Sequence, residues 1–383
     1  MSNRIANRLP KLRVALMLPG LGRVHRGAET AFIELARALS AHPDVKVTLF
    51  GSGSDIPEGL DLRQAGCVPR EQFERWPHVP VLRNDCCYEE MSFIMSLISR
   101  RTFRRRDFDA AIHCTFPFTN WFLRMAARKG GPASVFVTQN GDWMCRADSR
   151  EFRTFRCSGL VCTNPEYFDR HQSRYPAALI PNGVDPGVYQ PGERSHDARF
   201  PGDKKIVFMA SALIASKRVA DGIAAAAQVP DAFLVVAGDG PDRESIAALA
   251  ARELPGRHRL LGSVHRSEMP GLYRQADAFL HMSQDEPFGI VYLEAAASGL
   301  PVVAHDAAVP RWILGQSALY ANTTDVAAVA RALRLALNPV IGGSLRELAR
   351  ARVLADWTWA AQAEKYREFL YSLVAPSPML EVA

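Results

Sequence analysis

The chain has 383 residues, of which 48% are hydrophobic and 22% charged, a composition typical of globular proteins. This length exceeds what one hydrophobic core usually serves, so we expect two domains. No uninterrupted apolar run approaches the roughly 20 residues of a membrane span, and the run at 14–18 is too short for the core of a signal peptide. The seven cysteines lie in the N-terminal half without a Cys-x-x-Cys pair, which disfavours a disulfide framework or a metal cluster and predicts a cytoplasmic protein.

The positive charge is concentrated in the N-terminal half. Residues 1–180 carry 26 lysines and arginines against 18 acidic residues, whereas the remainder carries 20 against 22. Five arginines (100, 101, 104, 105 and 106) directly follow the apolar stretch 91–99. Two interpretations remain open: a solvated helix end, or an amphipathic surface that meets anionic lipid or a phosphorylated acceptor. No nucleic-acid motif accompanies the charge, so we expect no nucleic-acid partner.

The first predicted unit is a strand at 12–18, a glycine-rich loop and a helix at 28–40. The helix has apolar residues at 32, 35, 36 and 39, one face of a helical repeat. Gly20 and Gly22 begin a dinucleotide-binding pattern, but His25 occupies the third glycine position, so that motif fails. The loop is therefore either a plain tight turn or a ligand-facing turn.

The rest of the N-terminal half predicts a parallel α/β domain over 1–178. Strands are expected at 45–50, 109–113, 134–138, 159–163 and 177–180, and helices at 119–129 and 165–174. Residues 51–90 give no clear assignment. Polar residues end two of the strands, namely His113 and the segment from Gln139 to Trp143. A lone histidine at such a place is more often a packing residue than a ligand.

The segment 179–202 is rich in proline and glycine and is predicted to be a linker. The second half then alternates strands and helices, which predicts a doubly wound parallel sheet over 203–359. Strands are expected at 205–210, 233–237, 259–261, 277–282 and 301–304, and helices at 217–228, 242–253, 267–275, 289–298, 309–315, 325–337, 342–354 and 357–373. The last helix, as 360–383, is expected to complete the first domain.

The stretch 276–304 carries the strongest chemical pattern. Glu286 lies in the loop after a strand, where open α/β sheets bind ligands, and Glu294 lies two turns into the following helix. Pro287, Phe288, Gly289 and Ile290 begin that helix, whose free N–H groups and dipole suit a phosphate. The alternative is an ordinary strand–helix unit with two solvated glutamates.

These residues, with Ala295, Gly299 and the strand 301–304, resemble the E-x7-E signature of the retaining GT-B glycosyltransferases of family 4. Asn182 to Asp185 match the "NGVD" that follows the family's first domain, and Gly238 and Gly240 match its "GxGP" turn. Arg26, Gly27 and Glu29 match its first-loop "GG-x-E" in part. Residues 211–218 resemble its diphosphate clamp, with Lys217 at the lysine position. Three positions depart from the family: Ala212 replaces an arginine, Arg218 replaces a glycine, and an amide (Gln139 or Asn140) replaces a histidine.

The resemblance implies an α/β protein of the GT-B class, two Rossmann-like domains facing a central cleft. It places Glu286 on the sugar and Glu294 on the ribose of a nucleotide-diphosphate sugar. The diphosphate would be held by Ser211, Lys217, Arg218 and the amides of residues 288–290, with Gly238 and Gly240 near the base. Gly22, Arg26 and Gly27 would face the donor from the first domain. His113, Asn140 and Asp142 would surround the reacting sugar.

The resemblance therefore predicts a retaining transfer of a hexose from a UDP- or GDP-linked donor. The acceptor would be a hydroxyl of a glycan, a lipid-linked saccharide or a small molecule. No metal and no cofactor is expected, and the basic first domain predicts a peripheral membrane contact. Two alternatives remain: a nucleotide-sugar epimerase or hydrolase, and a catalytically degenerate binding subunit.

Overall fold

The computed structural model describes residues 11–24, 26–73, 75–77, 86–194 and 199–374. Contacts divide the chain into two compact units. The first comprises Met1–Asn182 and Trp359–Ala383, and the second comprises Gly183–Thr358. Each unit is built on one sheet whose strand pairs are all parallel.

The first unit has a seven-stranded sheet in the order β3-β2-β1-β4-β5-β6-β7. The strands are β1 Leu12–Met17, β2 Val45–Gly51, β3 Asp61–Gln64, β4 Ala110–His113, β5 Ala133–Val137, β6 Gly159–Cys162 and β7 Ala177–Leu179. The helices are α1 Gly27–Ser40, α2 Arg70–Phe73, α3 Cys86–Ser99, α4 Phe118–Arg128 and α5 Pro165–His171.

The second unit has a six-stranded sheet in the order β10-β9-β8-β11-β12-β13. The strands are β8 Lys205–Ala210, β9 Ala232–Ala237, β10 His258–Gly262, β11 Ala278–Leu280, β12 Val302–His305 and β13 Ala318–Ala321. The helices are α6 Val219–Ala227, α7 Arg243–Glu253, α8 Met269–Gln275, α9 Ile290–Ala297, α10 Ala308–Leu314, α11 Val326–Ala336 and α12 Pro339–Asp356.

A final helix, α13 Trp359–Val374, returns to the first unit. It packs on α1, and Arg367 forms an ion pair with Asp44 at 2.7 Å. Residues 375–383 of the predicted closing helix lie outside the described residues, as does His25 of the first loop.

Both sheets have the strand order of a doubly wound fold, which confirms the predicted α/β class. In each sheet the order reverses between two central strands, β1 and β4 in one and β8 and β11 in the other. Central strands such as β9 are buried along their whole length, because helices cover both faces of a parallel sheet. The reversal leaves a crevice at the carboxyl ends of the two central strands, which is where such sheets bind ligands.

The structure adds elements to regions that the sequence left unassigned. Residues 51–90 hold β3, α2 and the first turn of α3, and β13 follows α10. Within the segment predicted as a linker, Val184 and Tyr189 are buried in the core of the second unit. Among the described residues no single helix has the length and hydropathy to cross a membrane; the bent pair α11 and α12, at 86° to each other, meets the criteria of length and composition only when taken together.

Candidate functional site

In the second unit the loops that leave β8 and β11 bring Lys217 and Glu286 into an ion pair. His281, the residue after β11, lies with its Nε2 2.9 Å from Oε1 of Glu286. Burial acts to raise the pKa of Glu286, but the hydrogen bond and charge of His281 and the charge of Lys217 prevail and hold that pKa at about 2. The carboxylate is therefore ionised, oriented and largely enclosed at the crevice of the sheet.

Helix α9 begins directly after this carboxylate. Gly289 has φ +83°, and a Cβ there would lie 2.7 Å from the ring of Tyr292. Phe288 is buried against Trp357, with 5.9 Å between the ring centroids. The first hydrogen bond of the helix runs from the amide of Tyr292 to Gly289. Phe288 thus anchors the turn that precedes α9.

Glu294 lies on α9, and its side chain is nearly buried. The Tyr273 hydroxyl donates to its Oε2 at 2.9 Å, and Tyr189 forms a second side-chain hydrogen bond with it. Burial and the nearby Glu294 charge raise the pKa of both tyrosines, so both hydroxyls stay protonated and can donate. The two tyrosines therefore restrict the orientation of the Glu294 carboxylate.

The loop after β8 holds its shape through close backbone packing. Gly238, with φ +149°, approaches so closely that a Cβ would lie 1.8 Å from the carbonyl oxygen of Ser211. A Cβ on Gly240 would lie 2.3 Å from the carbonyl oxygen of Leu213. Two hydrogen bonds join the same segments, Ser211 to Ala237 and Leu213 to Asp239, both at 3.0 Å. Gly238 and Gly240 therefore allow the close backbone packing that holds the loop predicted to bind the diphosphate.

Arg218 occupies a left-handed position with φ +52°, which explains why a glycine suits this place in the resembling family. Its guanidinium pairs with Asp221 at 2.8 Å. Its buried Nε has no hydrogen-bond partner among the described residues. The side chain thus brings a second positive charge to the loop that carries Lys217.

The first unit holds the other predicted site residues. Gly22 has φ +71°, and a Cβ there would lie 2.9 Å from the backbone of Gly53. Gly27 is the first residue of α1, and a Cβ there would meet no atom within 4 Å. Arg26 pairs with Glu29 at 2.8 Å and with Glu89 at 3.7 Å. The glycine-rich turn is therefore braced by a charged cluster that includes the start of α3.

His113 lies inside the first unit and has no exposed surface. Its Nε2 is 3.2 Å from the Ser134 hydroxyl and its Nδ1 3.2 Å from the Thr115 carbonyl, and burial lowers its pKa to about 4. This is the environment of a neutral packing histidine, in conflict with the predicted contact to a sugar. The physical reason is that the ring lies against Ser134 and Phe136 of β5 and does not reach solvent beyond the end of β4.

Asp142 is also committed to its own unit. It is nearly buried and pairs with Arg170 and with His171, whose Nε2 lies 2.9 Å away. Burial would raise the pKa of Asp142, but these two partners lower it. Asn140 is exposed, with only the Cys114 sulfur near its amide nitrogen at 3.9 Å. Of these three predicted residues, Asn140 is the one whose side chain is open to solvent.

The structure thus brings together Glu286 and Lys217 in the second unit, with Ser211 and Arg218 on the same loop as Lys217. Sequence reasoning missed His281, Tyr273 and Tyr189. The sequence could have indicated His281, since it is a polar residue at the carboxyl end of a predicted strand. It could not have indicated Tyr273 or Tyr189, because these tyrosines lie 21 and 105 positions from Glu294 and only the fold brings them into contact with it.

Two family models match the chain. The model described as Glycosyltransferase Family 4 matches residues 25–188, and that described as Glycosyl transferases group 1 matches residues 193–346. A glycogen synthase of Mycobacterium tuberculosis is 32% identical over 178 residues, 43% of this chain and 43% of the relative. A GDP-mannose-dependent alpha-(1-6)-phosphatidylinositol monomannoside mannosyltransferase of Mycolicibacterium smegmatis is 28% identical over 210 residues, 50% of this chain and 55% of the relative. The matches thus span about half the length of these curated relatives.

Two solved structures share the fold at low identity. Sucrose-phosphate synthase from Thermosynechococcus elongatus superposes with a TM-score of 0.77 and 19% identity. The superposition covers 95% of this chain and 100% of the synthase chain. Anabaena HepE in complex with UDP and glucose has a TM-score of 0.71 and 17% identity and covers 94% and 100%. The strand order, the Glu286 to Glu294 signature and the two family models agree: the chain is a GT-B protein and belongs to the family 4 glycosyltransferases.

Proposed function

We propose that the protein transfers a hexose from a UDP- or GDP-linked sugar to a hydroxyl group of a glycan, a lipid-linked saccharide or a small molecule. The observation that carries this proposal is the oriented, ionised Glu286 beside Lys217 at the crevice of the second sheet. The relatives add weight. One is a GDP-mannose-dependent mannosyltransferase with a phosphatidylinositol mannoside acceptor, and one fold neighbour binds UDP and glucose.

In this proposal the second unit holds the donor. Glu294, fixed by Tyr273 and Tyr189, binds the ribose hydroxyls. Lys217, Arg218 and the amides at the start of α9 hold the diphosphate, where negative charge grows as the bond between the sugar and phosphate breaks. The diphosphate takes over Lys217 from Glu286, and Oε2 of Glu286 binds the hydroxyls of the sugar.

We further propose that transfer retains the anomeric configuration and requires no metal. The acceptor oxygen forms its bond to the anomeric carbon on the face from which the diphosphate departs. The acceptor proton passes to the departing phosphate oxygen, so no protein base is needed. This route fits the surroundings of His113 and Asp142, which are both buried within the first unit and hydrogen-bonded there. Lys217 and Arg218 supply the positive charge that the departing group requires.

A thermal-shift screen with UDP-, GDP- and ADP-sugars tests donor binding, because a ligand that binds only the folded state raises the melting temperature. We expect at least one UDP- or GDP-sugar to do so, and Lys217→Met to reduce the shift. Release of free sugar without an acceptor would instead favour a hydrolase. No shift with any donor would contradict the enzymatic proposal.

We also propose that the first unit binds an anionic membrane surface. On α3, Met91, Met95 and Ile98 share one face, and Met95 and Ile98 are 63% and 59% exposed. Met125 on α4 is 49% exposed and lines a depression of about 620 Å³ together with Phe103, Arg104–Arg106 and Lys129. The arginines at 100, 101 and 104–106 form no ion pair with any described residue. Apolar side chains edged by unpaired arginines suit an interface rich in anionic lipid.

Sedimentation with vesicles tests this contact. Wild-type protein should sediment with phosphatidylglycerol-containing vesicles but not with phosphatidylcholine alone, and added salt should weaken the binding. The double change Met95→Ser and Ile98→Ser should abolish it. The matched control is Leu348→Ser on α12, which is similarly exposed at 53%. Equal binding of all three proteins, or no binding to anionic vesicles, would contradict a contact through this surface.

A further inference from the structure

His281 lies at the end of β11 in a fixed orientation. Its amide donates to the carbonyl of Val303 at 3.0 Å, which continues the pairing of β11 with β12. Its side chain is 4% exposed. The ring stacks on Phe279 at 6.3 Å and 11° and meets Tyr292 edge-on at 5.0 Å. The two aromatic neighbours therefore fix the plane of the imidazole.

That orientation directs Nε2 at one oxygen of Glu286. Nε2 lies 2.9 Å from Oε1, and the ammonium of Lys217 contacts the same Oε1. Oε2 has no hydrogen bond to any described residue. Two donors thus hold one carboxylate oxygen and leave the other available.

The second ring nitrogen of His281 gives an independent clue. Nδ1 is buried and has no hydrogen-bond partner among the described residues. A buried polar atom without a partner costs stability, and an apolar residue would fill the same place between Phe279 and Tyr292 without that cost. Packing alone therefore does not account for a histidine here, whereas the bond to Glu286 does.

We infer that His281 is a positioning residue that holds Oε1 of Glu286 so that Oε2 faces the hydroxyls of the donor sugar. The inference rests on the proposed transfer of sugar from a nucleotide-linked donor. Nε2–H of His281 donates to Oε1 of the Glu286 carboxylate. When the donor's diphosphate engages Lys217, His281 becomes the remaining protein group that holds Glu286.

The test compares His281→Leu with His281→Gln by donor KM, kcat and melting temperature. Leucine fills the space without a donor, whereas the glutamine amide reaches about as far as Nε2 and restores an N–H. We expect His281→Leu to lower kcat about 10–100-fold, as misplacement of a reacting-site group does. Donor KM should stay nearly unchanged and the melting temperature should stay equal or rise. His281→Gln should recover most of kcat.

The matched control is His258→Leu on β10, whose Nδ1 contacts the carbonyl of Leu254 and which lies outside the site; it should keep the wild-type kcat. An unchanged kcat in His281→Leu, a kcat loss matched by a fall in melting temperature, or no recovery with glutamine would overturn the role of His281 while leaving the proposed transfer intact. A wild-type protein that transfers no sugar from any donor would overturn the transfer itself and this inference with it.

Discussion

Lys217 and Glu286 form an ion pair between the loops that leave β8 and β11, the two strands at which the second sheet reverses its order. They are 69 positions apart in the chain, and both side chains are largely enclosed. An enclosed pair of opposite charges stabilises only if its geometry is good, and removal of either partner leaves the other charge unsatisfied. The pair therefore ties the loop after β8 to the loop after β11.

Lys217→Met should weaken donor binding. The diphosphate loses one cation, and one charged hydrogen bond is worth about 1.5–3 kcal/mol, or roughly 10–100-fold in affinity. Calorimetric titration with the donor found by thermal shift measures this loss. The control is Lys204→Met, which changes a half-exposed lysine beside Asp203 in the same unit and should leave the affinity unchanged. Equal affinities for the two variants would contradict a diphosphate contact at Lys217.

Glu286 should contribute stability at neutral pH that is lost in acid. Burial acts to raise its pKa, but His281 and Lys217 hold the value at about 2, below the ordinary 4.5. A lowered folded-state pKa stabilises the fold above the unfolded pKa, and this gain disappears as the pH falls towards the folded value. The shift corresponds to at most about 3 kcal/mol.

Thermal unfolding across this range checks the effect. The wild-type melting temperature should fall more steeply between about pH 5 and about pH 3 than that of Glu286→Gln, which has no carboxylate to protonate. Parallel curves for the two proteins would show that Glu286 is not held ionised by its neighbours.

Glu90 should have the opposite effect. Burial raises its pKa to about 8, although backbone amides near Thr119 and Phe118 favour the ionised form. A raised folded-state pKa means that stability present below the unfolded pKa is lost as the pH rises through about 8. Glu90→Gln keeps the acceptor oxygen and removes the charge, so it should be more stable than wild type by a few kcal/mol near pH 8 and equal near pH 4. The exposed Glu58→Gln serves as the control; a Glu90→Gln protein that is less stable at both pH values would contradict the prediction.

Gly238→Ala should damage the loop that carries Lys217. Its Cβ would lie 1.8 Å from the Ser211 carbonyl oxygen, and strain of this kind costs about 1–3 kcal/mol or more. Gly256→Ala also has a positive φ, +69°, but meets no atom within 4 Å, so it isolates the effect of crowding from that of backbone strain. Thermal unfolding should show a larger loss for Gly238→Ala, and the donor-induced shift should fall only in that variant. Equal losses would show that the loop tolerates the displacement.

The sequence predicted most of the sheet framework, because buried parallel strands appear as short apolar runs between helical repeats. β3 was missed because DLRQ is a half-exposed edge strand with charged residues, and β13 because four residues between two turns carry little pattern. Gly299, just after the end of α9, has φ +72°, the left-handed conformation in which helices commonly end at a glycine. Local patterns therefore identified the elements that are long or fully buried.

The sequence could indicate those candidate site residues that lie at strand ends or in glycine-rich turns. Glu286 was found because it follows a strand of the sheet, and Lys217 was found through the resemblance of residues 211–218 to the family's diphosphate clamp. Side-chain direction was not predictable: β4 is covered on both faces, so no alternation of polar and apolar residues showed that His113 points inward. The tyrosines that hold Glu294 come from separate segments, and only the folded chain brings them together.

The most direct test of the role of Glu286 is sugar transfer by wild type and Glu286→Gln, with the donor identified by thermal shift. Nucleoside diphosphate release and the anomeric configuration of the product are measured together. We expect transfer with retention by the wild type, and a fall in kcat of about 10²-fold or more in Glu286→Gln with the donor-induced thermal shift preserved. Transfer by Glu286→Gln at the wild-type rate would contradict the central claim that this carboxylate orients the donor sugar.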